Sequence, residues 1–473
     1  MRELQLLVAG EWRDGADVVE VRSPYDGRTV SRVARGGPDE LEQAAAAAAR
    51  AAERLATIPA AERVMILDRA SNLIRERRDE LVTAISEEAG KPIALARVEA
   101  DRCLDTFTEA AVVARRPEVE ARDLSGYAAG VGRLALVRRV PVGPVLAITP
   151  FNFPLNLVAH KLAPAIAAGC PVVLKPASQT PSPALLLARV LTDAGLPEGA
   201  LSVVPSSGRD AERLAGDERF ALLTFTGSMD VGWRLKAIAW RRRVALELGG
   251  NASVIVEPDV DDLAAVAERI ATGAYAYAGQ SCISVQRILV QEDIYPAMRD
   301  ALVAAAEATR YGDPADESVV CGPLIDAGNV DRIAEWIRKA EEAGGRRLAG
   351  GERRDGIITP ALLEEVPPDQ PIVADEAFGP VAVLDPYEDI AQAINMVNDS
   401  RYGLQTGIFT RDADVIQHAW EQLEVGGIIQ GDVPSWRTDP MPYGGVKASG
   451  VGREGPVYTY REMTEERLLV LRR

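Results

Sequence analysis

Ala245-Leu246-Glu247-Leu248-Gly249-Gly250-Asn251 lies near the middle of the chain, and its reading divides the molecule in two. Residues 243–247 read as a strand that carries a carboxylate into its apolar end, where burial raises a carboxyl toward the range useful for a base. Without a task, a lone Glu in such a run is costly. Two glycines follow, and a second strand is predicted over 252–256. Upstream, short apolar runs bounded by Pro and Gly (134–140, 145–148, 172–174, 201–204, 222–225 and 243–247) alternate with helical stretches at 154–168, 182–194 and 228–239. Downstream the alternation resumes, with strands at 252–256 and 285–290, helices at 261–276, 293–309 and 326–344, and so on to about 430. The fold class is therefore α/β, with mainly parallel sheet covered on both faces. Two separate α/β domains account for the pattern better than one very wide sheet.

The first 120 residues read mostly as helix (39–55, 60–88 and 93–114) after one short strand at 18–21 and a turn at 23–27. The alanine run 44–49 belongs to the first helix, because alanine has the best helix propensity. Residues 123–132 and the strand-like tail 466–471 fit neither domain. Both would leave exposed edges, so each is expected to pair with another subunit.

Composition excludes several function classes. The chain has 473 residues, 47% apolar and 26% charged, and a formal net charge of −17. Nucleic acid and acidic membranes bind chiefly through Lys and Arg, so neither is an expected partner. No apolar run approaches the roughly 18 residues of a membrane span. Acidic residues interrupt the N-terminal stretch where a signal peptide would be apolar, and a cytoplasmic location is expected. Cys103, Cys170, Cys282 and Cys321 are scattered without CxxC spacing, which argues against both a disulfide framework and a bound metal. With only His160 and His418 available, a nucleophilic cysteine would need a carboxylate as its base.

Four further stretches carry chemistry. Gly279-Gln280-Ser281-Cys282 places a thiol among small polar residues just before a strand. Thr149-Pro150-Phe151-Asn152-Phe153-Pro154 puts Asn152 before a helix, as a free donor or as a simple cap. Leu174-Lys175-Pro176-Ala177-Ser178 ends a strand where a nucleotide would lie, although a solvated lysine fits as well. Phe225-Thr226-Gly227-Ser228 opens a helix and offers backbone N–H groups to a phosphate, or is an ordinary helix start. The chain's GxGxxG, Gly450-Val451-Gly452-Arg453-Glu454-Gly455, lacks the preceding strand and following helix of a dinucleotide fingerprint and reads as a flexible turn.

Taken in order, Asn152, Lys175, Phe225 to Ser228, Glu247 to Asn251, Gly279 to Cys282 and Glu376-Ala377-Phe378-Gly379-Pro380 resemble the aldehyde dehydrogenase superfamily over nearly the whole chain. The resemblance implies a Rossmann-type cofactor domain (1–120 and 142–248), a catalytic domain (249–435) and a small β oligomerisation element (121–141 and 456–473) that forms homodimers or homotetramers. Residues 436–455 would return to the cofactor domain. It further implies that Cys282 attacks an aldehyde, that Asn152 holds the oxyanion, and that Glu247 activates the water that hydrolyses the thioester. NAD or NADP would lie along Ile148, Thr149, Pro150, Phe151, Lys175, Ser178, Gly227, Ser228, Val231, Leu248, Gly249, Glu376 and Phe378. Ser178 stands where NAD-preferring members commonly have Glu, and a hydroxyl does not repel the 2′-phosphate of NADP.

Residues 431–445 are similar to the substrate loop of a subgroup acting on lactaldehyde or phosphonoacetaldehyde. Arg437, and Arg102 on the helix 93–114, are candidates for pairing with a substrate anion, against the alternative that Arg437 pairs with Asp439 at the surface. Phe151, Phe153 and Trp436 would make the walls aromatic. Among other functions, a coenzyme A-acylating dehydrogenase or thiol acyltransferase is disfavoured by Glu247. A non-enzymatic scaffold is disfavoured by the presence of both Cys282 and Glu247, and ester hydrolysis is compatible as a side activity.

Overall fold

The computed structural model describes residues 1–472. Two large sheets organise the chain. The first has eight strands, in the order Gly450–Val451, Arg243–Glu247, Leu222–Thr226, Val145–Ile148, Val172–Lys175, Leu201–Val203, Leu6–Val8 and Glu11–Arg13. Its five middle strands are parallel and buried on both faces, as the apolar runs require, and the end strands pair antiparallel. The second has seven strands, in the order Arg346–Ala349, Ala361–Glu364, Val381–Tyr387, Val285–Gln291, Ala252–Val256, Gln405–Phe409 and Gly427–Gln430, parallel apart from the first pairing.

The register of the first sheet aligns the ends that matter. Ile148 stands beside Lys175, and Thr226 beside Glu247, so the loops that follow emerge along one edge. Gly249-Gly250-Asn251 then crosses directly to the second sheet, whose strand Val285–Gln291 begins just after Cys282. The crossing needs glycine. A Cβ on Gly249 would lie 2.4 Å from a Glu376 carboxylate oxygen, and one on Gly250 only 2.2 Å from the Cys282 carbonyl oxygen.

Several sequence expectations are corrected. Five strands, not one, precede the first helix; Arg2–Leu4 and Asp17–Arg22 flank Thr29–Arg35 in a separate small sheet, and the other two extend the eight-stranded sheet. They are three to seven residues long and mixed in polarity, which hides the alternation that marks a strand. The helix expected over 60–88 is two helices, Ala60–Glu76 and Arg78–Ala89, broken where Arg77 leaves the helical region. The GxGxxG is no loose turn, because Gly450–Val451 adds an antiparallel edge strand onto Leu246 and Glu247. The tail does not wait for another subunit: Thr464–Arg472 pairs along Arg133–Pro141 of the same chain, which pairs in turn with Val119–Asp123.

Candidate active site

A cavity of about 670 Å³ opens between the two sheets, and it gathers Cys282, Glu247, Asn152, Phe153, Arg102 and Arg437. Glu376, Phe378, Leu248 and Gly249 line the same space. A second cavity of about 530 Å³ holds Ile148, Thr149, Lys175, Ser178 and Val231. The two share Pro150, Phe151, Thr226, Gly227 and Ser228, which makes one trough from the thiol to the lysine. Trp436 lines neither cavity and is 44% exposed, contrary to the aromatic wall expected of it. Its backbone is what the fold uses, since Gln405 binds the carbonyls of Pro434 and Trp436.

No ionised group is hydrogen-bonded to the Cys282 sulfur among the described residues. Burial pushes its thiol up to about 12, and its sulfur lies 2.8 Å from the hydroxyl of Tyr443. Asn152 does not cap the helix, which begins at Asn156. Its Nδ2 donates to the Gln280 carbonyl at 3.0 Å, while its Oδ1 is buried without a partner. Gln280 is itself pinned by the carbonyls of Tyr277 and Pro323 and by the N–H of Ile325, so the cysteine loop and the asparagine loop are held as one unit. Beneath them Lys91 and Glu99 form a fully buried ion pair. The Lys91 ammonium faces the rings of Phe153 at 3.6 Å and Tyr277 at 4.7 Å. Glu99 accepts from the N–H groups of Leu155 and Asn156, which caps the helix Asn156–Ala168.

The wall behind Glu247 is the opposite. Glu247 is buried, and one of its oxygens has no partner. Burial first, and the neighbouring Glu454 second, drive its carboxyl well above the usual range. Burial works the same way on Glu454, but His160, Arg437 and Lys161 overcome it and hold that carboxyl down to about 2. Arg437 donates to Glu454 at 2.8 Å and lies 3.8 Å over the Tyr443 ring, while its Nε is buried without a partner. It does not pair with Asp439 at the surface: its side chain is 6% exposed. Asp439 instead takes Arg102 as a two-point partner at 2.9 and 3.1 Å, together with Asn156 at 3.0 Å and His160 at 2.7 Å. Lys161 donates to Thr224 at 3.0 Å and Thr226 at 2.8 Å.

The trough suits a dinucleotide. Lys175 is buried at its far end with no protein partner for its ammonium among the described residues, and burial lowers it to about 8. Ser228 begins the helix Met229–Ala239 without spending its hydroxyl on a cap bond. Burial raises Glu376 to about 7, and the Gly250 N–H holds it at 3.0 Å. Phe378, with φ of 47°, sets its ring edge-on to Phe151 at 5.9 Å. These are unspent polar groups at a strand edge and a helix start, where phosphate and ribose hydroxyls bind.

Sequence reasoning missed Tyr443, Glu454, His160, Lys161, Asp439 and Asn156. One signal was available: His160-Lys161 interrupts an otherwise apolar helix, and Asn156 and His160 stand four residues apart, on one face. Glu454 was hidden in the glycine-rich decoy.

The aldehyde dehydrogenase family model matches residues 12–469. The 3-sulfolactaldehyde dehydrogenase of Priestia aryabhattai is 40% identical over 472 residues, covering 100% of this chain and 98% of that protein. The crystal structure of aldehyde dehydrogenase 21 from Physcomitrella patens in complex with the reaction product succinate superposes with a TM-score of 0.98 at 40% identity, covering 100% of this chain and 98% of that one. The NADP-dependent glyceraldehyde-3-phosphate dehydrogenase of Bacillus halodurans C-125, complexed with NADP, gives 0.96 at 33% identity, with 99% of each chain covered. On a match of this extent, joined to a thiol, a buried carboxylate and a nucleotide-sized trough in one space, the chain belongs to the aldehyde dehydrogenase family.

Proposed function

We propose that this dehydrogenase oxidises a small aldehyde bearing a carboxylate or sulfonate, and that NADP is an accepted cofactor. The observation that carries the substrate class is Arg437, a guanidinium lining the Cys282 cavity with its Nε buried and unpaired. An arginine fork matches either anion. Arg102 lines the same cavity, and its partner Asp439 fixes its direction. The relatives point the same way, since one is named for sulfolactaldehyde and another holds succinate.

In this reading the Cys282 sulfur attacks the aldehyde carbon, and the new oxyanion faces the Asn152 amide and the Cys282 backbone N–H. Bound NAD or NADP supplies the hydride acceptor, so that the acyl group remains on sulfur as a thioester. Glu247 takes a proton from water, the hydroxide cleaves the thioester, and the acid leaves with Cys282 restored. Lys175 and Ser178 would hold the adenosine ribose, Ser228 the pyrophosphate, Glu376 the nicotinamide ribose, and Phe378 the ring.

The test is kcat/KM over paired aldehydes of equal length with and without an acid group. Anionic members should be favoured about tenfold or more, and Arg437→Lys, which keeps the charge but loses the fork, should erase most of that margin. Equal rates for the neutral partners would leave both arginines structural. We also propose a homo-oligomer. The tail strand exposes Leu468, Leu469, Val470 and Leu471 in succession, a patch suited to burial against a second copy. A monomer mass by light scattering would refute it.

A further inference from the structure

We infer that Tyr443 is a further catalytic residue, whose hydroxyl donates to the Cys282 sulfur and holds it as the attacking thiolate. The inference rests on the reading of Cys282 as the nucleophile. Among the described residues, Tyr443 is the hydrogen-bond partner of that sulfur, at 2.8 Å. The Asn152 amide is directed to a carbonyl instead.

The phenol is fixed from three sides. Tyr443 is 4% exposed and packs with Ile283 and Leu404. Its backbone exchanges hydrogen bonds with Glu454, N–H to O at 3.0 and 2.6 Å. The Arg437 guanidinium covers its ring at 3.8 Å. A ring held this way keeps its phenol oxygen beside the sulfur. It also keeps its proton, because burial, and the cysteine beside it, push the phenol well above its usual value.

The sulfur needs such a donor. Burial works against its ionisation, and Glu376 and Glu247 add to that, while Tyr443 and Arg437 are the groups opposing them. When the thiol ionises, its proton passes to water in the cavity and the tyrosine retains its own. A sulfur lone pair then forms the bond to the aldehyde carbon. On thioester hydrolysis the C–S bond pair returns to sulfur, which leaves toward the same hydroxyl.

Tyr443→Phe removes the oxygen and leaves the ring, the guanidinium stack and both backbone bonds. The experiment follows alkylation of the full-length protein by iodoacetamide against pH, without nucleotide or aldehyde. The rate at neutral pH should fall about tenfold, because each unit by which the thiol rises lowers its thiolate fraction tenfold. In steady state, kcat should fall while KM for the aldehyde stays within about twofold, the split expected of a group that acts on sulfur and not on substrate. An unchanged alkylation rate across the accessible pH range would make the hydroxyl mere packing and overturn the inference. Cys282→Ala is the blank, since the other three cysteines are buried. Alkylation that survives there at the parent rate would instead remove Cys282 as the reactive thiol, and with it the reading on which the inference rests.

Discussion

The two walls of the cavity handle reactivity by different means. On the Cys282 side the sulfur meets one neutral hydroxyl and a pair of loops locked by Gln280, and the charges beneath, Lys91 and Glu99, are paired with each other. On the Glu247 side Arg102, Arg437, Lys161, Asp439 and Glu454 are packed within a few bonds of one another. A nucleophile needs a fixed position and one donor, whereas a base needs its proton affinity set, and where two carboxyls share the same burial the charges around each decide between them. Glu247 and Glu454 demonstrate the lever: neighbouring carboxyls, one driven up and the other down.

The largest effect expected on this contrast comes from Cys282→Ala, which should reduce both aldehyde oxidation and ester hydrolysis by about 10⁴-fold or more. Retained ester hydrolysis would move the nucleophile elsewhere. Glu247→Gln should slow turnover by about 10² to 10⁴, with an acyl adduct on the protein visible by mass spectrometry. Near-normal turnover would leave the charged wall without a catalytic purpose.

Lys91→Met probes whether the ion pair beneath the Cys282 side is architecture. It strands Glu99 in the interior, and a loss of about 3 kcal/mol or more is expected from the denaturation midpoint. The double variant with Glu99→Gln should recover part of it. No loss in the single variant would mean that the pair does not bind the two loops together.

Glu454→Gln tests the opposite wall by pH. In its proposed role Glu247 takes a proton only when ionised, so the rate of thioester hydrolysis should rise as pH passes its elevated value. Glu454 is a charge that elevates it, so its removal should move the rising limb to lower pH, by about one unit. A limb that stays put would locate the control in burial alone. The smallest effect concerns the far end of the trough, where Ser178→Glu should weaken NADP binding about tenfold by nucleotide fluorescence and leave NAD nearly unchanged. Equal weakening of both would show that the 2′ position is read elsewhere.

The quiet wall, the Glu247 carboxylate and the two arginines Arg102 and Arg437 were legible in the sequence, and the rest of the charged wall was not. Cys282, Asn152, Lys175 and Glu247 each stand at the end of a recognisable strand or loop, so local pattern places them. Asp439, Tyr443 and Glu454 come from a stretch of short bridges and turns with no periodicity, and Asp439 and Tyr443 reach back 337 and 161 residues to Arg102 and Cys282. Pairings at that separation leave no trace in local propensity. The N-terminal strands were missed for a related reason: a three-residue strand is set by the sheet it joins.

The edge strand Gly450–Val451 and the residues around it set an order of assembly during synthesis. Cys282 and Glu247 leave the ribosome before Arg437, Asp439, Tyr443 and Glu454, which follow Cys282 by 155 residues or more. A nascent chain that has already built most of both large sheets holds Cys282 and Glu247 without the groups that surround them in the finished fold. The site is therefore completed late, when one short segment lies down beside Leu246 and Glu247. A chain stopped after residue 436 should fold much of its sheet and leave the thiol unreactive.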